Sequence, residues 1–147
     1  MILHVGITEV EKFSDLGKWF HERLELPGRF NQEVFCGNWR NLIKTGAGFI
    51  LGRFDEDGAP VEAIGVIQFP DVFSGEMTAC TMFWFYIEEP KGLEAGALYQ
   101  ALELDCIGRG VKHLFVGVLC NERLAKVGGV LLKGGYYLAE MQYRKAL

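Results

Sequence analysis

The chain has 147 residues, of which 50% are hydrophobic and 13% aromatic, enough to bury the core of one ordinary domain. Its net charge of -4 and isoelectric point near 5.4, without any basic run, argue against a nucleic-acid surface. No apolar stretch approaches the length of a membrane span, and the first residues lack a signal-peptide pattern. We therefore expect a single cytoplasmic domain over residues 1–147, without a membrane partner.

The N-terminal third predicts a strand followed by two helices. An apolar run at residues 2–7 is typical of a strand. Ser14 is expected to be the N-cap of a helix of about a dozen residues. A second helix is expected from Asn38, ending at the glycines that begin with Gly46.

The middle of the chain predicts three consecutive strands. Strand-like runs at residues 49–54 and 63–69 flank the turn formers 55–60, whose Asp-Gly dipeptide is typical of a hairpin. The next run, residues 78–87, is apolar or aromatic at nearly every position, which favours an inner strand covered on both faces.

The C-terminal half predicts alternating helices and strands. Helical periodicity over residues 93–108 leads to a short apolar run at 114–119, expected to form an inner strand parallel to 78–87. A further helix is expected over 121–133, and the alternation over 136–144 predicts a closing strand. None of the four cysteines belongs to a CxxC pair, so we expect free thiols and no metal site.

The junction between strand 78–87 and the helix after it carries the main functional signal. Residues 88–92 are expected to form a short turn that contains Gly92. A strand that enters a helix N-terminus through small residues presents unpaired backbone N–H groups and a positive dipole end. This arrangement predicts a site for a phosphorylated cofactor.

This order of elements resembles the GNAT superfamily of N-acyltransferases over most of the chain, most strongly over residues 82–147. The resemblance implies an α/β (α+β) fold with a mixed central sheet of about six strands and about four helices, in the order β-α-α-β-β-β-α-β-α-β. It also implies acetyl-CoA, or another acyl-CoA, as co-substrate and a primary amine as acceptor, with no metal. Pairing of two copies through the last strand is common in the family, so a homodimer is expected.

The resemblance places cofactor-binding positions on two segments. In the family, an Arg/Gln-x-x-Gly-x-Gly/Ala turn holds the CoA diphosphate through backbone amides, and an Asn after the fifth strand binds the pantetheine arm. The corresponding positions are Tyr86, Ile87, Lys91, Gly92, Glu94, Ala95, Gly96, Ala97, Asn121 and Ala125. The turn departs from the family pattern, since Glu94 would repel an anion. Gly128 stands where the family has a Tyr that protonates the departing thiolate.

Acyl transfer also needs an oxyanion donor, an acid and a base. The backbone near Tyr86 and Ile87 is the expected oxyanion donor. Cys120 is the candidate acid, with a buried structural cysteine as the alternative, and Glu76 is the candidate base, acting through water. Acidic side chains that could attract a cationic amine, or simply be surface charges, are Glu22, Glu25 and Glu33.

Three interpretations remain open at this stage. The chain is an active N-acyltransferase, a CoA-binding relative with weak or lost chemistry that acts through protein interaction, or an unrelated α/β domain with a structural role. A divergent chain this compact also resembles the acetyltransferases that bacteriophages encode, which would place it in the host cytoplasm.

Overall fold

The computed structural model describes residues 1–23, 26–87, 96–118 and 124–145. Contacts divide the chain into two units, Met1–Val116 and Gly117–Leu147. In the described ranges, no helix combines the length and the apolar character that crossing a membrane requires.

The first unit is a five-stranded sheet with helices on both faces. Its strands follow chain order, β1-β2-β3-β4-β5, and are antiparallel except for the parallel pair β4 and β5. The elements are β1 (Ile2–His4), a 3₁₀ helix (Ile7–Phe13), α1 (Ser14–Arg23), α2 (Gln32–Thr45), β2 (Gly48–Phe54), β3 (Pro60–Pro70), β4 (Met77–Tyr86), α3 (Ala97–Gly108) and β5 (His113–Phe115). The predicted hairpin and the β-α-β unit are therefore confirmed.

The sheet separates two apolar clusters, because side chains alternate between its faces. On the face that α1 and α2 cover, Phe13, Trp39 and Phe85 are buried. On the face that α3 covers, Ile64 on β3 packs with Leu102 of the helix. Strand β4 contributes to both clusters, so it is apolar on both faces because both are covered, as predicted.

The N-terminal helices differ from prediction at their starts. Ser14 is not an N-cap, because the 3₁₀ helix runs directly into α1 and the Ser14 hydroxyl donates to the Glu11 carbonyl, 2.7 Å away. Helix α2 begins six residues before Asn38, where Asn31 is the N-cap and its Oδ1 accepts from the Val34 N–H at 3.0 Å. It ends as predicted at Gly46, whose φ of 71° is the left-handed conformation that glycine adopts without strain.

The second unit contains α4 (Leu124–Lys133) and, after it, residues 136–145 without helix or strand. The predicted closing strand at 136–144 is wrong, so the described sheet has five strands and β5 lies at its edge. Alternation specifies a strand only where one face becomes buried. Here Tyr137, Met141 and Tyr143 are all exposed, so the alternation covers no core.

Candidate active site

Strands β4 and β5 share only a short ladder. Their register runs from Thr78 opposite His113 to Cys80 opposite Phe115. Strand β5 ends there, whereas β4 continues for six more residues to Tyr86. At about 3.3 Å per residue, β4 extends roughly 20 Å beyond the last ladder pair. Among the described residues, the C-terminal part of β4 therefore has only β3 as a neighbouring strand.

The direction of the backbone amides along this part of β4 follows from its pairing with β3. The Ile87 N–H donates to the Val61 carbonyl at 3.0 Å, and Tyr86 lies opposite Glu62. In an antiparallel pair, residues that exchange bonds with the partner alternate with residues whose N–H and C=O point the other way. The amides of Trp84 and Tyr86 are therefore directed away from β3, toward the side of β5. The Ile87 N–H, expected beside Tyr86 as an oxyanion donor, belongs to the sheet.

Helix α3 begins close to this strand end in sequence and has an N-terminus suited to an anion. Its N-cap, Gly96, has a φ of 91° and supplies no side-chain cap. The first turn, which starts at Ala97, contains no acidic residue. The first N–H groups of a helix have no intrahelical partner and carry the positive end of the helix dipole. Their chemistry therefore fits a phosphate group.

A buried polar network lies between β2, β3, β4 and the first turn of α3. The Glu62 side chain, on a residue only 1% exposed, accepts from Arg53 Nε at 2.8 Å and from Trp84 Nε1 at 2.9 Å. The Tyr99 ring meets the Trp84 indole edge to face, with 4.8 Å between centroids. Burial, and then the Glu62 carboxylate, raise the pKa of the Tyr99 hydroxyl, so it stays protonated.

Sequence reasoning missed this network. The available signal was a single Glu, the one charged residue of the mostly apolar β3 run, since buried carboxylates are rare unless they are paired. Its partners come from two other strands, and cross-strand register is not visible in one sequence.

Glu76, the predicted base, lies far from the end of β4 where the thioester is expected. It immediately precedes β4, and its Oε2 contacts His113 Nε2 at 2.9 Å. Ten strand residues separate it from the C-terminal end of β4, about 30 Å at the usual rise. The structure therefore does not bring Glu76 and Tyr86 together.

A cavity of about 670 Å³ opens at the start of α2, on the side of the sheet opposite α3. Its lining includes Glu11, Glu33, Cys36 and Arg40. Arg40 pairs with Glu11, and burial raises the pKa of the Cys36 thiol, which favours its neutral form. Glu33, one of the acidic side chains that could attract an amine, therefore lies where it can face a molecule bound in this cavity.

The remaining predicted positions are distributed as follows. Ala125 lies in the first turn of α4. Outside the described residues lie Glu25, Lys91, Gly92, Glu94, Ala95, Cys120 and Asn121. Within the described ranges, no group of three His, Cys, Asp or Glu side chains is placed to hold a metal ion.

No protein-family model matches the chain, and no curated protein matches it in sequence. Solved structures match it over its whole length. A ribosomal-protein-alanine N-acetyltransferase from Brucella melitensis biovar Abortus 2308 is 17% identical, with a TM-score of 0.70 over 100% of this chain and 97% of that one. A Trypanosoma brucei acetyltransferase is 15% identical, with a TM-score of 0.73 over 100% and 99%.

An aminoglycoside acetyltransferase from an uncultured soil metagenomic sample, crystallised with sisomicin, is 13% identical, with a TM-score of 0.76 over 100% and 95%. These likenesses show the fold alone: the chain folds like these acetyltransferases, in agreement with the fold expected from its order of elements.

Proposed function

We propose that the protein is an N-acyltransferase that moves an acetyl or other acyl group from acyl-CoA to a primary amine. One observation carries the proposal. The strand that outruns its parallel neighbour, β4, is followed by a helix whose first turn has neither a capping side chain nor an acidic residue. The part of β4 beyond its ladder with β5 offers a place for the thioester, and the first turn of α3 offers a place for the diphosphate.

The diphosphate of acyl-CoA would bind at the N-terminus of α3. Gly96 and Ala97 bring backbone amides to this end, and the glycine allows close approach of the phosphate. Lys91, Gly92, Glu94 and Ala95 remain predicted members of the same turn. Asn121 remains the predicted partner of the pantetheine arm.

The thioester would lie beside the C-terminal part of β4. The backbone amide of Trp84 is directed to the side on which β5 lies, where it can donate to the oxyanion. Tyr86 remains a predicted cofactor-binding position. The neutral amine attacks the thioester carbonyl carbon, the C–N bond forms, and the carbonyl electron pair moves to oxygen. Collapse of this intermediate breaks the C–S bond and releases CoA thiolate and the amide.

Proton transfer is assigned to water and to the predicted acid. The attacking amine loses its proton to water, since Glu76 lies at the opposite end of β4. Cys120 remains the proposed donor to the thiolate. Holding the amine and thioester together would supply most of the rate, because proximity alone can be worth about 7–11 kcal/mol.

The acceptor is proposed to approach from the cavity at the start of α2. Glu33 and Glu11 give this cavity two carboxylates, of which Glu11 is already paired with Arg40. Glu33 is thus the better candidate to attract a cationic amine. The acceptor could be a small molecule, a peptide or a protein.

A second candidate function is acyl-CoA binding with weak or no chemistry, in which the protein acts through another protein. The observation in its favour is Gly128 in α4, at the place where the family has its acid Tyr. A glycine has no proton to give the thiolate.

Acetyl-CoA binding and acetyl transfer separate these candidates. Millimolar acetyl-CoA should raise the melting temperature, because it binds the folded state, and mass spectrometry of an amine library should show acetylated product. Binding without any product favours the second candidate, and no melting shift contradicts both. Gly96→Glu should abolish binding, whereas Leu104→Glu is the matched control, because it adds the same charge at an exposed position eight residues further along the chain.

A further inference from the structure

A continuous chain of side-chain contacts joins four elements beneath the proposed acyl-CoA site. It consists of Arg53 on β2, Glu62 on β3, Trp84 on β4 and Tyr99 in the first turn of α3, and we call it the Glu62 network. Arg53 and Glu62 are register partners, as are Glu62 and Tyr86. All members lie on the face of the sheet that α3 covers.

Stability alone does not account for a carboxylate at this position. Burying an ion pair costs desolvation, and apolar residues of similar volume are often as stable or more stable. The next residues of β3 on the same face, Ile64 and Val66, are fully buried and apolar. An apolar residue at position 62 would therefore continue the core. It could not, however, accept the hydrogen bond that orients the Trp84 indole.

The position of the network relates the two ends of the proposed cofactor site. Glu62 is opposite Tyr86 and fixes the indole of Trp84, the two residues whose amides face the thioester side. Through the Trp84 ring it contacts Tyr99, two residues after the first residue of α3. The same four side chains thus touch the strand end and the helix start.

We propose that Glu62 is a positioning residue that sets the separation between the C-terminal end of β4 and the N-terminus of α3. This inference rests on the proposed function. The diphosphate and the thioester of one acyl-CoA molecule are joined covalently, so both ends bind together only if the protein holds their sites at the right distance. A misplacement of bound groups by about 1 Å can lower the reaction rate as much as 100-fold. The Glu62 network holds the end of β4 and the start of α3 at this distance without contacting the ligand.

The test compares a ligand that spans both ends with one that reaches only the helix. Calorimetry would measure acetyl-CoA and adenosine 3′-phosphate 5′-diphosphate, the nucleotide half of CoA, on the full chain. The main variant is Arg53→Met with Glu62→Met, which fills the volume without leaving a buried charge. Tyr99→Leu removes the contact at the helix end. Asp105→Asn, which breaks an ion pair near the other end of α3, is the control.

Both network variants should bind acetyl-CoA at least about tenfold more weakly, while nucleotide affinity changes by less than about twofold. The control should bind both ligands as the wild type does. Equal weakening of both ligands would mean a general loss of structure, and unchanged acetyl-CoA affinity would mean that the network positions nothing. Either result overturns the inference and leaves the proposed function standing. A wild-type chain that binds neither ligand overturns the proposed function, and the positioning role with it.

Discussion

A carboxylate placed at the first residue of α3 should act on stability and on cofactor binding in opposite directions. Ala97→Glu puts a negative charge into a first turn that has none. It should stabilise the helix by about 0.3–1 kcal/mol, because the charge meets the positive end of the dipole. The melting temperature of a chain of this size should rise by about 1–4 °C.

The same charge should repel the diphosphate of acyl-CoA. At a separation of about 5 Å in water, each phosphate charge costs roughly 0.8 kcal/mol, and more where water is partly excluded. Two phosphate charges together correspond to binding that is at least about tenfold weaker. Thermal unfolding and calorimetry with acetyl-CoA would measure the two effects on one preparation.

Two controls isolate the charge at this position. Ala97→Gln has nearly the same size without the charge and should change acetyl-CoA affinity little. Leu104→Glu adds the same charge at an exposed position seven residues along the helix, about 10 Å away, where salt screens it. If Ala97→Glu raises stability but leaves acetyl-CoA affinity unchanged, the diphosphate does not bind at this helix and the reasoning is refuted.

Two further predictions concern the scaffold. Gly65→Ala should lower the free energy of unfolding in urea by about 1–3 kcal/mol, because a Cβ there would overlap the Phe83 ring. Gly37→Ala, which has open space and a helical backbone, should raise the free energy of unfolding by about 0.5–1 kcal/mol. Equal effects of the two substitutions would contradict this packing. The N–H and hydroxyl of Ser74, and then the N–H of Phe73, hold the pKa of Asp71 below its ordinary 3.8, so its contribution to stability is present above that value and is lost as pH falls through the lower folded pKa. Asp71→Ala should therefore be less stable than wild type at neutral pH, and this difference in stability should shrink as the pH falls below 3.8; a difference that does not shrink in acid would contradict this cause.

The core of the fold could be predicted because its elements have strong and local signals. Strand β4 begins and ends one residue earlier than predicted, and β2 begins one residue earlier, since apolar runs bounded by turn formers leave few alternatives. The early start of α2 was missed although Asn31 carries a capping side chain. The segment 136–144 shows that alternation without a buried face does not make a strand.

In the candidate site, too, features with a local sequence signal could be predicted and features that depend on strand register could not. A strand followed by glycine and a helix is readable in one sequence, and Gly96 and Ala97 were among the predicted cofactor-binding positions. The helix start was expected just after Gly92, whereas α3 begins at Ala97 with Gly96 as its N-cap. The Glu62 network could not, since Glu62 and Trp84 are 22 residues apart and meet only through strand register. Glu76 precedes β4 as expected, but the ten residues of that strand separate it from the C-terminal end, a distance that its nearness in sequence to β4 does not reveal.

A crystal structure of the protein with bound CoA would show directly whether the cofactor binds at the N-terminus of α3. We expect a diphosphate within hydrogen-bonding distance of the backbone amides at Gly96 and Ala97. We also expect the pantetheine thiol beside the Trp84–Tyr86 end of β4. CoA bound elsewhere, or an α3 N-terminus whose amides remain bonded to the protein while CoA is present, would refute the proposed site.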